Sequence, residues 1–106
     1  MFELALTTDA VPNTSGGGNW TPWVPATHSS TTTTLTLSGG TKILSTGTAP
    51  STSYTLRGTL PVQPVTGLRL TLYPYDYNTA DALPATLGRA FNGNFVLSEI
   101  KATNFP

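Results

Sequence analysis

Catalysis needs a nucleophile with an activating base, a pair of carboxylates, or a cluster of metal ligands. The chain offers little toward any of them. His28 is the only histidine, and it sits in the polar run Pro25-Ala26-Thr27-His28-Ser29-Ser30, where a solvated surface imidazole is expected. A triad can be assembled on paper from Ser29 or Ser30, His28 and an aspartate. Serine and threonine are so abundant that this match carries no weight, and no nucleophile-elbow sequence supports it. One histidine and no cysteine leave zinc without ligands. The acids are Glu3, Asp9, Asp76, Asp81 and Glu99. Asp76 and Asp81 share a stretch with Asn78, and calcium takes such oxygen ligands. Their spacing fits no defined calcium loop, and turn-forming Asp and Asn explain them more simply. The expectation is a protein that is not an enzyme, with no cofactor and no metal.

Aromatic rings are the remaining chemistry. Tyr73, Tyr75 and Tyr77 recur at every second residue, so an extended backbone would place three rings on one side. Such a row could stack on sugar rings or contact another protein, since tyrosine combines an apolar face with a polar tip. The plainer alternative is that Pro74 breaks the strand and the rings cover loops. Trp20 and Trp23 are expected to pack in the core or at its rim, and they are the next contact patch after the tyrosines.

The elements that would hold these residues follow from composition and pattern. At 106 residues the chain is read as a single domain, 1–106. Only 9% of residues are charged and the formal net charge is +0, which leaves no field to gather nucleic acid or an anionic membrane. Threonine makes up about a fifth of the chain, and glycine and proline are plentiful. Threonine favours strands and suits a wet sheet face. This is the composition of extracellular modules and virion proteins. The N-terminus has no basic region followed by an apolar core of signal-peptide length, and no window is long and apolar enough for a membrane helix. The expectation is either a piece of a larger protein or a small protein that leaves its cell without a signal.

Phe2, Leu4 and Leu6 alternate with Glu3 and Ala5, as in a half-buried strand. Residues 20–24 read as an extended edge segment because of Pro22. Leu35-Thr36-Leu37, the turn Ser38-Gly39-Gly40 and Thr41-Lys42-Ile43-Leu44 predict a hairpin. Further strands are predicted over 54–60, over 67–72 with Leu68, Leu70 and Leu72 facing inward, and from Phe95 to Ala102. No stretch carries a helical period beyond one turn near 79–83. The predicted fold is an all-β sandwich, in the form of a jelly roll, with seven or eight short strands.

The run Gly88-Arg89-Ala90-Phe91-Asn92-Gly93-Asn94-Phe95-Val96-Leu97-Ser98-Glu99-Ile100 places an Asn92-Gly93 turn before the last predicted strand. It resembles the GRxxNGNFVLSE signature of a β-sandwich module in cytochrome-c-type proteins of planctomycete bacteria. The likeness spans roughly residues 20–102. Trp20 and Trp23 fall where the opening strand of that module would lie, and the strand at 67–72 resembles the family's gi-tairlEaLpd strand, with Tyr73-Pro74 in place of its short acidic turn. The resemblance implies a sandwich and a non-catalytic role, without defining a ligand. Arg89 and Glu99, opposite charges flanking one turn in an almost uncharged chain, are expected to pair and tie the loop to its strand. Two functions remain open. One is a structural and interaction protein of a surface assembly, such as a virion decoration or accessory protein, with protein neighbours or further copies of itself as partners. The other is a carbohydrate-binding module of a larger extracellular bacterial protein. An initiating methionine just before the first strand is read as fitting a small independent gene, which favours the assembly.

Overall fold

The computed structural model describes residues 1–47, 51–61, 63–77, 79–80, 82–89 and 93–103. Seven strands carry the fold: β1 (Phe2–Thr7), β2 (Thr21–Trp23), β3 (Thr27–Ser30), β4 (Thr34–Ser38), β5 (Lys42–Thr46), β6 (Tyr54–Arg57) and β7 (Gly67–Leu72). No helix occurs among the described residues. The larger, five-stranded sheet is centred on β1, and β3 and β6 form a second, two-stranded sheet. All pairings are antiparallel, so the expectation of a small all-β sandwich is borne out.

β1 is paired on both edges. β7 covers one edge along its full length, from Phe2 opposite Leu72 to Thr7 opposite Gly67. The other edge is divided between β2, which pairs with Leu4 to Leu6, and β5, where Ile43 faces Phe2. Pro22 is accommodated because β2 is an edge strand and has a ladder partner on one side only. The β4–β5 hairpin turns at Gly39 and Gly40, whose φ angles of 65° and 85° suit glycine and few other residues.

The core is Phe2, Leu4, Leu35 and Ile43, with Trp23, Tyr54, Leu56, Leu70 and Leu72 packed against it. Phe2 stacks on Tyr54 at 5.6 Å between ring centroids, which joins the large sheet to the small one. At one end the two sheets are also tied by a chain of hydroxyls. The Tyr54 hydroxyl donates to Ser45 Oγ at 2.8 Å, Ser45 bonds Thr33 Oγ1 at 2.9 Å, and Thr33 bonds Ser30 Oγ at 2.6 Å. Ser30 bonds Thr52 in turn at 2.6 Å. The threonine-rich composition therefore supplies interior bonding as well as wet strand faces.

Three sequence expectations are corrected, the first being the inward row of β7: Leu70 and Leu72 pack against the core, but Leu68 is 42% exposed. The final strand predicted for Phe95–Ala102 does not form: among the described residues no ladder runs through 95–102. Alternating apolar residues fix which faces a strand would have, and a partner edge must still be reached. His28 lies within β3, opposite Leu56 of β6, and not in a solvated loop. The sequence Thr27-His28-Ser29-Ser30 has no apolar alternation, so its strand depends on the ladder that β6 offers.

Candidate functional site

An open cleft of about 1180 Å³ lies among the described residues. Leu4, Leu6, Leu68 and Leu70 of the large sheet line its floor. Trp23, Tyr54 and Leu56 line one side, and residues 94–103 form another wall. Arg57, Gln63 and Tyr77 bring polar atoms to the lining. The combination is an apolar trough with a few hydrogen-bonding groups, bordered by a strand of the small sheet. Among the described residues no group of three His, Cys, Asp or Glu side chains could hold a metal ion. Asp76 is exposed, and Asp81 and Asn78 lie outside the described residues.

The three tyrosines do not share one flat face. Tyr73 lies beneath Lys42, whose Nζ is 4.6 Å from the ring centroid. Tyr75 meets Tyr77 edge to face at 5.0 Å, and its backbone bridges to Thr86. Tyr77 alone of the three reaches the cleft, where its hydroxyl accepts a 2.9 Å bond from the Met1 amine. Burial raises the Tyr77 phenol above its ordinary value, and burial lowers the Met1 amine. All three rings are half-buried, so each has already given part of its face to this chain.

Both tryptophans pack as expected of rim residues. Trp23 leans on the core and donates from Nε1 to the Thr59 carbonyl at 2.9 Å. Trp20 donates to the Gly17 carbonyl at 3.1 Å, and the Arg69 guanidinium lies over its ring at 4.9 Å. Trp23 lines the cleft and Trp20 does not. The sequence offered no signal for the Arg69–Trp20 stack, since the residues are distant in the chain and meet only through the pairing of β1 with β2 and β7.

Arg89 and Glu99 do not pair. Arg89 donates from a guanidinium nitrogen to the Gly47 carbonyl at 3.2 Å, whereas Glu99 lies 3.9 Å from Lys101 on an exposed stretch. No ladder among the described residues runs through 95–102 to bring the Glu99 carboxylate back beside Arg89. Gly93 has φ of 75°, and its carbonyl accepts from the Gly88 amide at 3.1 Å. Asn92 lies outside the described residues.

Comparison with protein-family models, with curated proteins and with solved structures gave no match in any of the three.

Proposed function

We propose that this chain is a non-catalytic interaction module that seats an extended segment of a protein neighbour in its apolar cleft, as part of a surface assembly. The observation that carries the reading is the trough itself. Its leucine floor lies beside the strand edge of β6, and such a site fits a peptide strand, whose backbone needs a hydrogen-bonding edge and whose side chains need apolar pockets. The aromatic rings favour this over a glycan platform, because Tyr73, Tyr75 and Tyr77 are engaged with Lys42 and with one another. The near absence of charge fits recognition by shape and hydrogen bonding. A decoration or accessory protein of a virus particle is the form of assembly that the threonine-rich, weakly charged composition supports. The likeness to a planctomycete sandwich module supports a non-catalytic binding role and keeps carbohydrate as the second ligand to test.

A library of strand-forming peptides and a glycan array, each probed with the parent and with Leu60→Asp and Tyr75→Ala, separates the two. Leu60 lines the cleft and is partly exposed, so the change leaves the core untouched. Peptide binding in the micromolar to millimolar range, about −4 to −8 kcal/mol, that Leu60→Asp abolishes supports the reading. Glycan binding that Tyr75→Ala abolishes, with no peptide retained, overturns it.

A further inference from the structure

β7 has a ladder partner, β1, on one edge only among the described residues. The Tyr73 amide bonds the Met1 carbonyl at 2.8 Å, so alternation along the strand turns the N–H and C=O of Leu68, Leu70 and Leu72 outward. A six-residue open edge of this kind, rich in leucine, is what folded proteins ordinarily cover or charge. The same chain carries a strand-patterned segment without a ladder. In it Val96 is 81% and Ile100 54% exposed, and Leu68 on β7 is itself 42% exposed.

We propose that residues 96–101 close onto the outer edge of β7 as an eighth, antiparallel strand, and that this movement gates the cleft. One register satisfies every group. Leu72, Leu70 and Leu68 lie opposite Val96, Ser98 and Ile100 in hydrogen-bonded pairs. Thr71 and Arg69 lie opposite Leu97 and Glu99 in the closer, non-bonded pairs. Val96 and Ile100 then extend the apolar floor beside Leu72 and Leu68. Glu99 falls on the opposite face, next to Arg69. The Arg69 Nε is buried with no hydrogen-bond partner in the present arrangement, and a guanidinium–carboxylate pair supplies the missing one. Topology allows the pairing, because the antiparallel Tyr75–Thr86 bridge folds the chain leaving β7 back on itself before the segment begins.

The consequence for the cleft rests on the function proposed above. Residues 94–103 now wall the trough. Once paired with β7 they no longer wall it and instead add Val96 and Ile100 to its floor, leaving a wider trough. Closure onto β7 is thus the receptive state for a neighbour's segment, and the unpaired arrangement is the shielded one.

The absence of cysteine makes a crosslink clean. Thr71→Cys with Leu97→Cys places two thiols on a non-bonded pair, where Cα atoms about 4.5 Å apart are within disulfide range. Mild oxidation is expected to give an intramolecular disulfide in the monomer, while Thr71→Cys with Val96→Cys, one residue out of register and on opposite faces, stays reduced. Amide exchange in the unmodified protein is expected to be slow at Leu68, Leu70 and Leu72, and faster in Glu99→Gln. Crosslinked dimers would overturn the proposal in favour of a second copy's segment. Rapid exchange at the three leucines, or equal crosslinking in both registers, would overturn it outright. Neither readout involves a partner, so closure without peptide binding refutes the function alone, and peptide binding without closure refutes the gate alone.

Discussion

β1 and the segment 93–103 begin from similar sequence patterns and end in opposite states. Phe2-Glu3-Leu4-Ala5-Leu6 and Phe95-Val96-Leu97-Ser98-Glu99-Ile100 each mix apolar and polar residues in a short run with one glutamate. β1 is paired on both edges and almost wholly buried, and its Glu3 accepts a 2.7 Å bond from the Thr41 hydroxyl. The C-terminal segment has no ladder, and its Glu99 reaches only an exposed lysine. What differs is the set of connections around them. The chain leaving β1 returns at once through a clamped loop to β2, and the hairpin β4–β5 and β7 come to it as well. Burial is a property that a strand receives from its neighbours.

The largest contrast lies in the cores of the two regions. Ile43 is fully buried beside Phe2, and Ile43→Ala is expected to destabilise by roughly 2–5 kcal/mol, through lost transfer energy and a residual cavity. Ile100→Ala removes the same atoms from a half-exposed site and should stay below about 1 kcal/mol. Urea denaturation of both variants measures the difference, and similar midpoints would show that the C-terminal segment is as much core as β1.

The hydroxyl chain should give the next effect. Ser45 is buried and bonded to both Thr33 and Tyr54, so Ser45→Ala leaves two hydroxyls to find new partners. A cost of roughly 1–3 kcal/mol is expected, and Tyr54→Phe should cost less because Ser45 keeps its bond to Thr33. Equal losses would mean that the phenol is what holds the small sheet to the large one.

Gly93 tests how firmly the C-terminal region is anchored. A Cβ there would stand 2.7 Å from Thr86 Cγ2, on a backbone whose φ is 75°. If the approach of Gly93 to Thr86 contributes to the fold, Gly93→Ala should cost upwards of about 1 kcal/mol. A cost near zero would show that Gly93 parts from Thr86 without consequence for the sheets.

The strands were legible in the sequence where side-chain alternation was strong. β1, the β4–β5 hairpin with its two glycines and β7 occur where the pattern placed them, while β6 ends at Arg57 although the alternation ran on to Leu60. β3 was not legible, since Thr, His and Ser give no apolar period and its ladder comes entirely from β6. Nor could alternation reveal that β1 would take three partners, because pairing depends on loop paths and not on strand faces. The site was less legible than the fold. A row of tyrosines reads as a platform only if all three rings stay free on one face, whereas Tyr73 lies beneath Lys42 and Tyr75 packs edge to face on Tyr77. The cleft joins residues from β1, β2, β6, β7 and the C-terminal segment, which no local motif could announce.

The smallest effect concerns the loop that keeps β1 paired. Asp9 follows β1 and holds the far end of its loop: the Asn19 amide donates to Asp9 Oδ2 at 3.0 Å and the Asn19 side chain donates to Oδ1 at 3.2 Å. These bonds, the backbone one first, hold the Asp9 carboxyl below its ordinary value of 3.8. A carboxyl depressed in the folded state binds fewer protons than in the unfolded chain between the two values, so stability rises with pH across that interval. The contribution is therefore complete above the ordinary value and is lost as pH falls through the folded one. The carboxyl is solvent-exposed, so the loss should be slight and confined to the loop and β2. Acidification below about pH 4 should lower the protection of the Thr21 and Trp23 amides, relative to an unstructured amide at the same pH, before it affects the β1–β7 ladder. Asp9→Asn should abolish that early change. If β2 and β7 instead loosen together in the parent, the loop clamp is not what distinguishes β1 from the unpaired segment, and the difference must lie in the core alone.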